Sequence, residues 1–273
     1  MSSGQVPPNI CKISYRENLT SDLAIIRVQP TDGNTISNFK AGQFVALGLK
    51  LDGDEKITYR AYSLSSPPEE KRYFEFYIKW ATEPVMGKFT SALFNMGDSG
   101  ELYWRKPAGA FSIEDKKADG TPENRRLILV ASGTGLAPFI SYVLHLQNIG
   151  SKREIILLHG AKYSQELGYR AMLERMATNN PTFKYLPTVS RPDHPLSKGW
   201  DGNIGRVEKL LMVELEKLIG EKVTPANSFF HICGYQGTID SVVAILSPLG
   251  FVTNRNKRKD GSFDIKIETY GSQ

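Results

Sequence analysis

The stretch LILVASGTGLAPFISYVL, residues 127–144, reads as two elements joined by a glycine turn. Leu127 to Ser132 form a continuous apolar run of the kind a buried strand needs. Phe139, Ile140, Val143 and Leu144 then recur at helical spacing. Between them Gly133-Thr134-Gly135 makes the reversal, and Pro138 suits a first helical turn, where a missing N–H costs little.

The same unit repeats downstream. EIILLHG (154–160) is a second buried strand with a helix around 165–177, and FKYLPTVSR (183–191) a third with a helix over 207–219. SFFHICG (228–234) is a fourth strand, followed by a helix over 238–250. Alternation of strand and helix predicts a parallel sheet with right-handed crossovers.

Upstream the pattern differs. Six short strands are expected at 11–15, 22–30, 42–50, 57–65, 73–80 and 100–107, separated by Gly, Pro, Asp and Asn, the signature of an antiparallel sandwich or barrel. GKFTSALFNMG (87–97) interrupts them as a short helix, and EDKKADGTPENRR (114–126) reads as a linker or long surface loop. The fold class is therefore β followed by α/β, with neither an internal repeat nor a low-complexity tract.

Bulk composition is that of a soluble globular chain: 273 residues, 40% hydrophobic and 23% charged. No apolar run approaches the ~20 residues that span a bilayer. The first residues, MSSGQVPPNICKIS, lack the layout of a signal peptide, so a cytoplasmic location is expected. Two cysteines, Cys11 and Cys233, support no iron–sulfur or four-thiolate site, and no metal is expected. The net charge of +5 suits an anionic cofactor or an acidic partner; a nucleic-acid surface would want aromatic platforms within a dense basic face, which the chain lacks.

Four strand ends of the second half carry chemistry, because ligands of an open parallel sheet bind outside its carboxyl edge. SGTGLAP (132–138) joins glycines to a helix start, an arrangement that favours anions but also serves as an ordinary tight turn. Lys162, Ser190, Arg191 and Arg206 follow the next strands. Three cations and a hydroxyl at one edge suit a phosphomonoester, although each alone reads equally well as a solvated charge. CGYQGT (233–238) ends the fourth strand; Cys233 there is a small hydrophobe by default. In the first half, ITYRAYSLS sets Arg60 and Tyr62 on one strand face and Ser63 on the other, a guanidinium beside a ring.

The order RAYS, GKFT, GTGLAPF, VSR, CG and a final ETY resembles the ferredoxin/flavodoxin–NADP(H) reductase family, over about residues 10 to 270. The resemblance implies an FAD-binding antiparallel β-barrel over residues 1–115 and a doubly wound, parallel-sheet NADP(H)-binding domain over 125–273. It implies that Arg60 pairs with the FAD pyrophosphate, that Tyr62 stacks on the isoalloxazine and that Ser63 lies near flavin N5, with Ala61 between them. Phe76, Tyr77 and Ile78 match the second flavin-contacting segment, and Gly87, Lys88, Phe89 and Thr90 would offer amides and a hydroxyl to the pyrophosphate. In the second domain Thr134 and Gly135 would approach the dinucleotide, while Ser190, Arg191 and Arg206, helped by Lys162, hold the 2′-phosphate. Cys233 and Glu268 would flank the nicotinamide C4 and flavin N5, with Glu268 relaying protons. Tyr270 matches the aromatic that covers the flavin until nicotinamide displaces it; in close relatives that aromatic is often terminal, whereas Gly271-Ser272-Gln273 follow it here.

The implied activity is electron transfer between NADP(H) and a ferredoxin or flavodoxin, in either direction. Arg255, Lys257, Arg258 and Lys259 form a cluster that could steer an acidic carrier or simply face solvent. Two rival readings stand beside it: an NADH-linked flavin reductase serving a cytochrome or oxygenase, which shares RxYS and the GTG turn, and a non-catalytic nucleotide-binding protein. The Ser190–Arg191–Arg206 set argues against the NADH branch.

Overall fold

The computed structural model describes residues 9–31, 33, 35–82, 86–97 and 100–269, without the side chains of Met212 and Val213. The chain divides into two compact units: residues up to Ser112 together with 140–145, and residues 113–139 with those from Leu146 onward.

The first unit is a six-stranded antiparallel sheet: β1 (Asn9–Thr20), β2 (Leu23–Pro30), β3 (Phe44–Lys50), β4 (Ile57–Ser63), β5 (Phe74–Lys79) and β6 (Glu101–Trp104), in the order β4-β3-β6-β1-β2-β5. A bridge between Leu64 and Phe76, with the Ser65 amide donating to the Glu75 carbonyl at 2.8 Å, joins the two edges. The sheet thus closes on itself, the usual way to hide unpaired edges. Alternate residues point inward: Ala24, Ile26 and Val28, Val45 and Leu47, Phe74, Phe76 and Ile78 share one core with Phe89 and Leu93 of the short helix α1 (Lys88–Asn95). All six expected strands and the inserted helix form. Residues 140–145 group with this unit because the Tyr142 ring stacks on Phe111 at 5.9 Å and its hydroxyl donates to the Phe111 carbonyl at 3.0 Å.

The second unit is a six-stranded parallel sheet: β7 (Arg126–Ser132), β8 (Ile155–Ala161), β9 (Phe183–Val189), β10 (Asn203–Ile204), β11 (Ser228–Gly234) and β12 (Ile265–Thr269), in the order β10-β9-β8-β7-β11-β12. From β7 the chain winds one way through β8 to β10, then returns to the other side for β11 and β12. The topological switch therefore falls between β7 and β11, where such sheets open a crevice. Helices α2 (Ala137–Asn148), α3 (Arg170–Asn179), α4 (Val207–Val213), α5 (Leu215–Ile219) and α6 (Gln236–Leu246) make the crossovers. Ile128, Val130, Ile156, Leu158, Phe230 and Ile232 pack beneath Val207, Leu210 and Leu211 of α4 and Ile239, Val242 and Leu246 of α6.

Two sequence expectations are corrected. The helix over 207–219 is two, broken at Glu214. The sheet has two strands beyond the expected four: β10, only two residues long, and β12. The segment 114–126 is a surface loop, exposed over 115–122 and tied down near its end. Its Arg125 is held by Glu123 and by the buried Asp264 at 2.7 Å, and donates to the Pro225 carbonyl at 2.7 Å. A buried ion pair needs such full hydrogen-bonding to offset its desolvation.

Candidate functional site

In the first unit, register accounts for the guanidinium beside a ring on β4. Tyr62 pairs with Val45 and Arg60 with Leu47, so both share the face of buried core residues, yet β4 is an edge strand of the ladder. Tyr62 is half-buried, its ring 5.9 Å from Phe89 and 6.3 Å edge-on to Phe76. Burial holds its phenol well above the ordinary tyrosine range, so it stays a neutral ring. Arg60 is exposed, and Nη1 donates to the Tyr59 carbonyl at 2.9 Å; no carboxylate pairs with it among the described residues. Ala61 is exposed and Ser63 buried on the opposite face.

Phe76 and Ile78 lie in the core and Tyr77 is buried on the other face of β5, so any ligand met along this segment meets main chain before rings. The start of α1 has Gly87 as its N-cap, which supplies no side-chain bond to the first-turn amides of Lys88, Phe89 and Thr90. Those donors suit an anion. The Thr90 hydroxyl is already committed: it accepts from the Ala81 amide at 3.2 Å and donates to the Gly87 carbonyl at 3.1 Å. That leaves the Thr90 amide, not its hydroxyl, as the donor a ligand there could use. An exposed guanidinium, uncapped helix amides and a neutral half-buried ring are a donor set that fits a flavin dinucleotide.

In the second unit, the parallel ladder continues past the strands. The Ser190 amide donates to the Ala161 carbonyl and the Arg191 amide to the Lys162 carbonyl, both at 3.0 Å. The Gly205 amide donates to the Val189 carbonyl at 2.9 Å, which delivers Arg206 to the N-cap of α4. Lys162, Ser190, Arg191 and Arg206 are therefore brought to one sheet edge, as expected. The three cations are exposed and carry no carboxylate partner among the described residues. Arg191 Nη1 donates to the Tyr163 hydroxyl at 3.2 Å, and Tyr163 stacks on His194 at 4.2 Å. Such a set fits a dianionic phosphate.

At the switch point the glycines have a role the sequence did not disclose. A side chain on Gly135 would stand 2.1 Å from the Cys233 carbonyl oxygen, and one on Gly234 2.8 Å from Ser132 Cβ. They let the turn seat on β11 as much as they open it to a ligand; Thr134 beside them is half-exposed. Cys233 and Glu268 are register partners of β11 and β12, with the thiol 3.9 Å from Oε2. Tyr270 lies outside the described residues, as do Gly271 to Gln273.

Two features escaped sequence reading. Tyr235, the N-cap of α6, is 56% exposed, and its ring lies 3.5 Å from where a Gly133 side chain would begin; an aromatic directly after Cys-Gly was the available signal. Of the basic cluster, Arg258 is paired with buried Asp264, Lys257 lies 5.1 Å over the Phe263 ring and Arg255 donates to the Thr269 hydroxyl, so three of its four charges have partners within the fold.

Residues 10–113 match the oxidoreductase FAD-binding domain and residues 129–244 the oxidoreductase NAD-binding domain. Together they define an oxidoreductase with a flavin unit and a nicotinamide-nucleotide unit. The chain is 29% identical to the flavodoxin/ferredoxin–NADP reductase of Buchnera aphidicola subsp. Schizaphis graminum over 273 residues, covering 96% of this chain and 97% of that one. The crystal structure of a ferredoxin NADP+ reductase from Neisseria gonorrhoeae with bound FAD and NADP has the same fold, at a TM-score of 0.79 and 20% identity over 97% of this chain and 99% of that one. The chain belongs to the ferredoxin–NADP(H) reductase family. It is also 26% identical to a component of the Na+-translocating NADH-quinone reductase of Pseudomonas aeruginosa, over 88% of this chain and 64% of that one. No helix among the described residues is long and apolar enough to cross a membrane.

Proposed function

We propose that the protein is a ferredoxin– or flavodoxin–NADP(H) reductase, moving electrons between NADP(H) and a separate one-electron carrier. The observation that carries the choice of NADP(H) is the trio Lys162, Arg191 and Arg206, which have no carboxylate partner among the described residues and stand beside the Ser190 hydroxyl. A ribose diol has no use for three cations, whereas a 2′-phosphate pairs with Arg forks and a Lys point charge.

Bound FAD supplies the exchange of one hydride for two single electrons. The residues do the positioning. Arg60 and the first-turn amides of α1 neutralise the flavin pyrophosphate, and Tyr62 offers its neutral ring to the isoalloxazine, with Ala61 and Ser63 completing that strand end. The main chain of Phe76 to Ile78 lines the same ligand. Thr134 and Gly135 orient the nicotinamide nucleotide at the switch point. Cys233 and Glu268 border the nicotinamide, and the Glu268 carboxylate holds or accepts a proton at Oε2. The family resemblance assigns the flavin-covering aromatic to Tyr270, which lies outside the described residues.

The carrier is a small acidic protein, ferredoxin or flavodoxin. The likeness to an NADH-quinone reductase component supports a second reading, in which NADH is the donor and the acceptor differs. Stopped-flow bleaching of the flavin with NADPH and with NADH separates them, followed by reduction of ferredoxin or flavodoxin by the NADPH-reduced protein. The proposal expects NADPH to win and the carrier to be reduced; an NADH preference that is indifferent to Arg191 overturns it.

A further inference from the structure

β12 is the outer strand of its sheet, and it carries Glu268 at its penultimate position. Terminal residues of edge strands fray unless something ties them. Here the tie changes character along the strand. Beside its start a neighbouring segment pairs by main chain: Thr253 bridges Ile265, and the Asn254 amide donates to the Ile265 carbonyl at 2.7 Å. Further on, side chains take over. The Ile267 amide donates to Asn254 Oδ1 at 3.2 Å. Arg255 Nη2 then donates to Thr269 Oγ1 at 3.0 Å, and that hydroxyl donates to Gln236 Oε1 of α6 at 3.4 Å. Gln236 is itself fixed, its Nε2 donating to Asp240 Oδ1 at 2.6 Å.

Resting on the reading of Glu268 given above, we propose that Arg255 is a positioning residue: through Thr269 it clamps the end of β12 and keeps the Glu268 carboxylate beside the Cys233 thiol. The chain Arg255–Thr269–Gln236 ties three elements, the 253–255 segment, β12 and α6, at the residue that follows Glu268. Arg255 therefore acts by a directed hydrogen bond, in contrast to a surface charge that attracts a carrier at a distance.

The two roles separate on Thr269, because Thr269→Val removes the acceptor and leaves every charge in place. The holoenzyme is prepared as wild type, Arg255→Ala, Thr269→Val, Thr269→Ser and the Ala/Val double variant. Iodoacetamide labelling of Cys233 is followed by peptide mass spectrometry with Cys11, buried in the other unit, as the internal reference. Arg255→Ala and Thr269→Val are each expected to speed Cys233 labelling about fivefold, the worth of one hydrogen bond. Thr269→Ser stays at the wild-type rate, and the double variant is no faster than either single one. In stopped flow the same two variants slow flavin reduction at saturating NADPH about fivefold, leaving the half-saturating nucleotide concentration and the carrier KM unchanged. Wild-type labelling in Thr269→Val overturns the proposal. So does an Arg255→Ala effect confined to a salt-dependent carrier KM, which makes Arg255 a docking charge. If neither nucleotide bleaches the wild-type flavin, the reductase reading falls while the labelling comparison still decides the clamp.

Discussion

The thiol of Cys233 stands 3.9 Å from the Glu268 carboxylate although the two residues are 35 positions apart, because parallel pairing of β11 with β12 makes them register partners. Under the proposed function a carboxylate held there would serve proton transfer, a role worth about 10²-fold or more. Glu268→Gln, which keeps the shape, is expected to slow flavin reduction at saturating NADPH by about 10²-fold with little change in half-saturation. Cys233→Ser should cost less than about tenfold, since the hydroxyl fits the same space and no charge changes. Equal rates for wild type and Glu268→Gln in stopped flow would remove the carboxylate from the chemistry.

Arg191 tests nucleotide choice. Charge-assisted hydrogen bonds contribute about 1.5–3 kcal/mol, so Arg191→Ala should raise the half-saturating NADPH concentration by about 10- to 100-fold. The value for NADH should not move. A parallel loss with both nucleotides would mean that Arg191 acts through the fold, for instance through its bond to Tyr163.

Arg60 tests the flavin unit. Its guanidinium is exposed and serves no ion pair among the described residues, so Arg60→Ala should leave the unfolding free energy of the apoprotein within about 0.5 kcal/mol of wild type. FAD retention after gel filtration should fall at least about tenfold, read from the absorbance ratio of flavin to protein. Full retention would place the pyrophosphate elsewhere.

The glycine turn gives a structural test. Gly135→Ala drives a methyl to 2.1 Å from a main-chain carbonyl that cannot move aside, and should destabilise the second unit by about 3 kcal/mol or more. Gly133→Ala meets only Tyr235 at 3.5 Å, but its φ of +56° costs a side chain about 1 kcal/mol. Urea midpoints should follow that order; the reverse order would mean the turn is looser than its packing implies.

His159 sets an acid limit. It is fully buried in β8, bonded to the Tyr185 hydroxyl at 3.0 Å, and desolvation lowers its pKa to about 3. The folded value lies below the unfolded value of about 6.5, so between them the unfolded chain binds the extra proton. Stability should therefore fall as pH drops from about 6.5 toward 3, by about 1.4 kcal/mol per unit from this group. His159→Gln, which does not titrate, should flatten that limb; an unchanged slope would assign the acid sensitivity to other groups.

Much of this architecture is written in local pattern. Apolar runs at 127–132, 154–160 and 228–234 and helical spacing after them suffice for the parallel unit, since neighbours along the chain decide whether a strand is buried on both faces. The motif residues of the candidate site are likewise legible as residues: Arg60, Tyr62, Lys162, Arg191 and Arg206 stand out by type and by position at element ends. β12 was harder to read, because IKIET alternates like a half-exposed strand. Its Lys266 is buried by an ion pair with Glu114, a partner 152 residues away that no local window contains.

The sequence by itself determined most of the strands and helices, β10, β12 and the break at Glu214 excepted, together with where the chain changes from an antiparallel to a parallel regime and which cations end at the carboxyl edge. Tertiary structure alone decided the rest. It made Cys233 and Glu268 neighbours, seated Gly135 against the β11 backbone, committed the Thr90 hydroxyl to a loop, and gave Arg125, Arg258 and the exposed Arg255 hydrogen-bond partners within the fold. The physical reason is range: periodicity reports the environment of adjacent residues, whereas register and side-chain pairing are set by hydrogen bonds and packing between segments far apart in the chain.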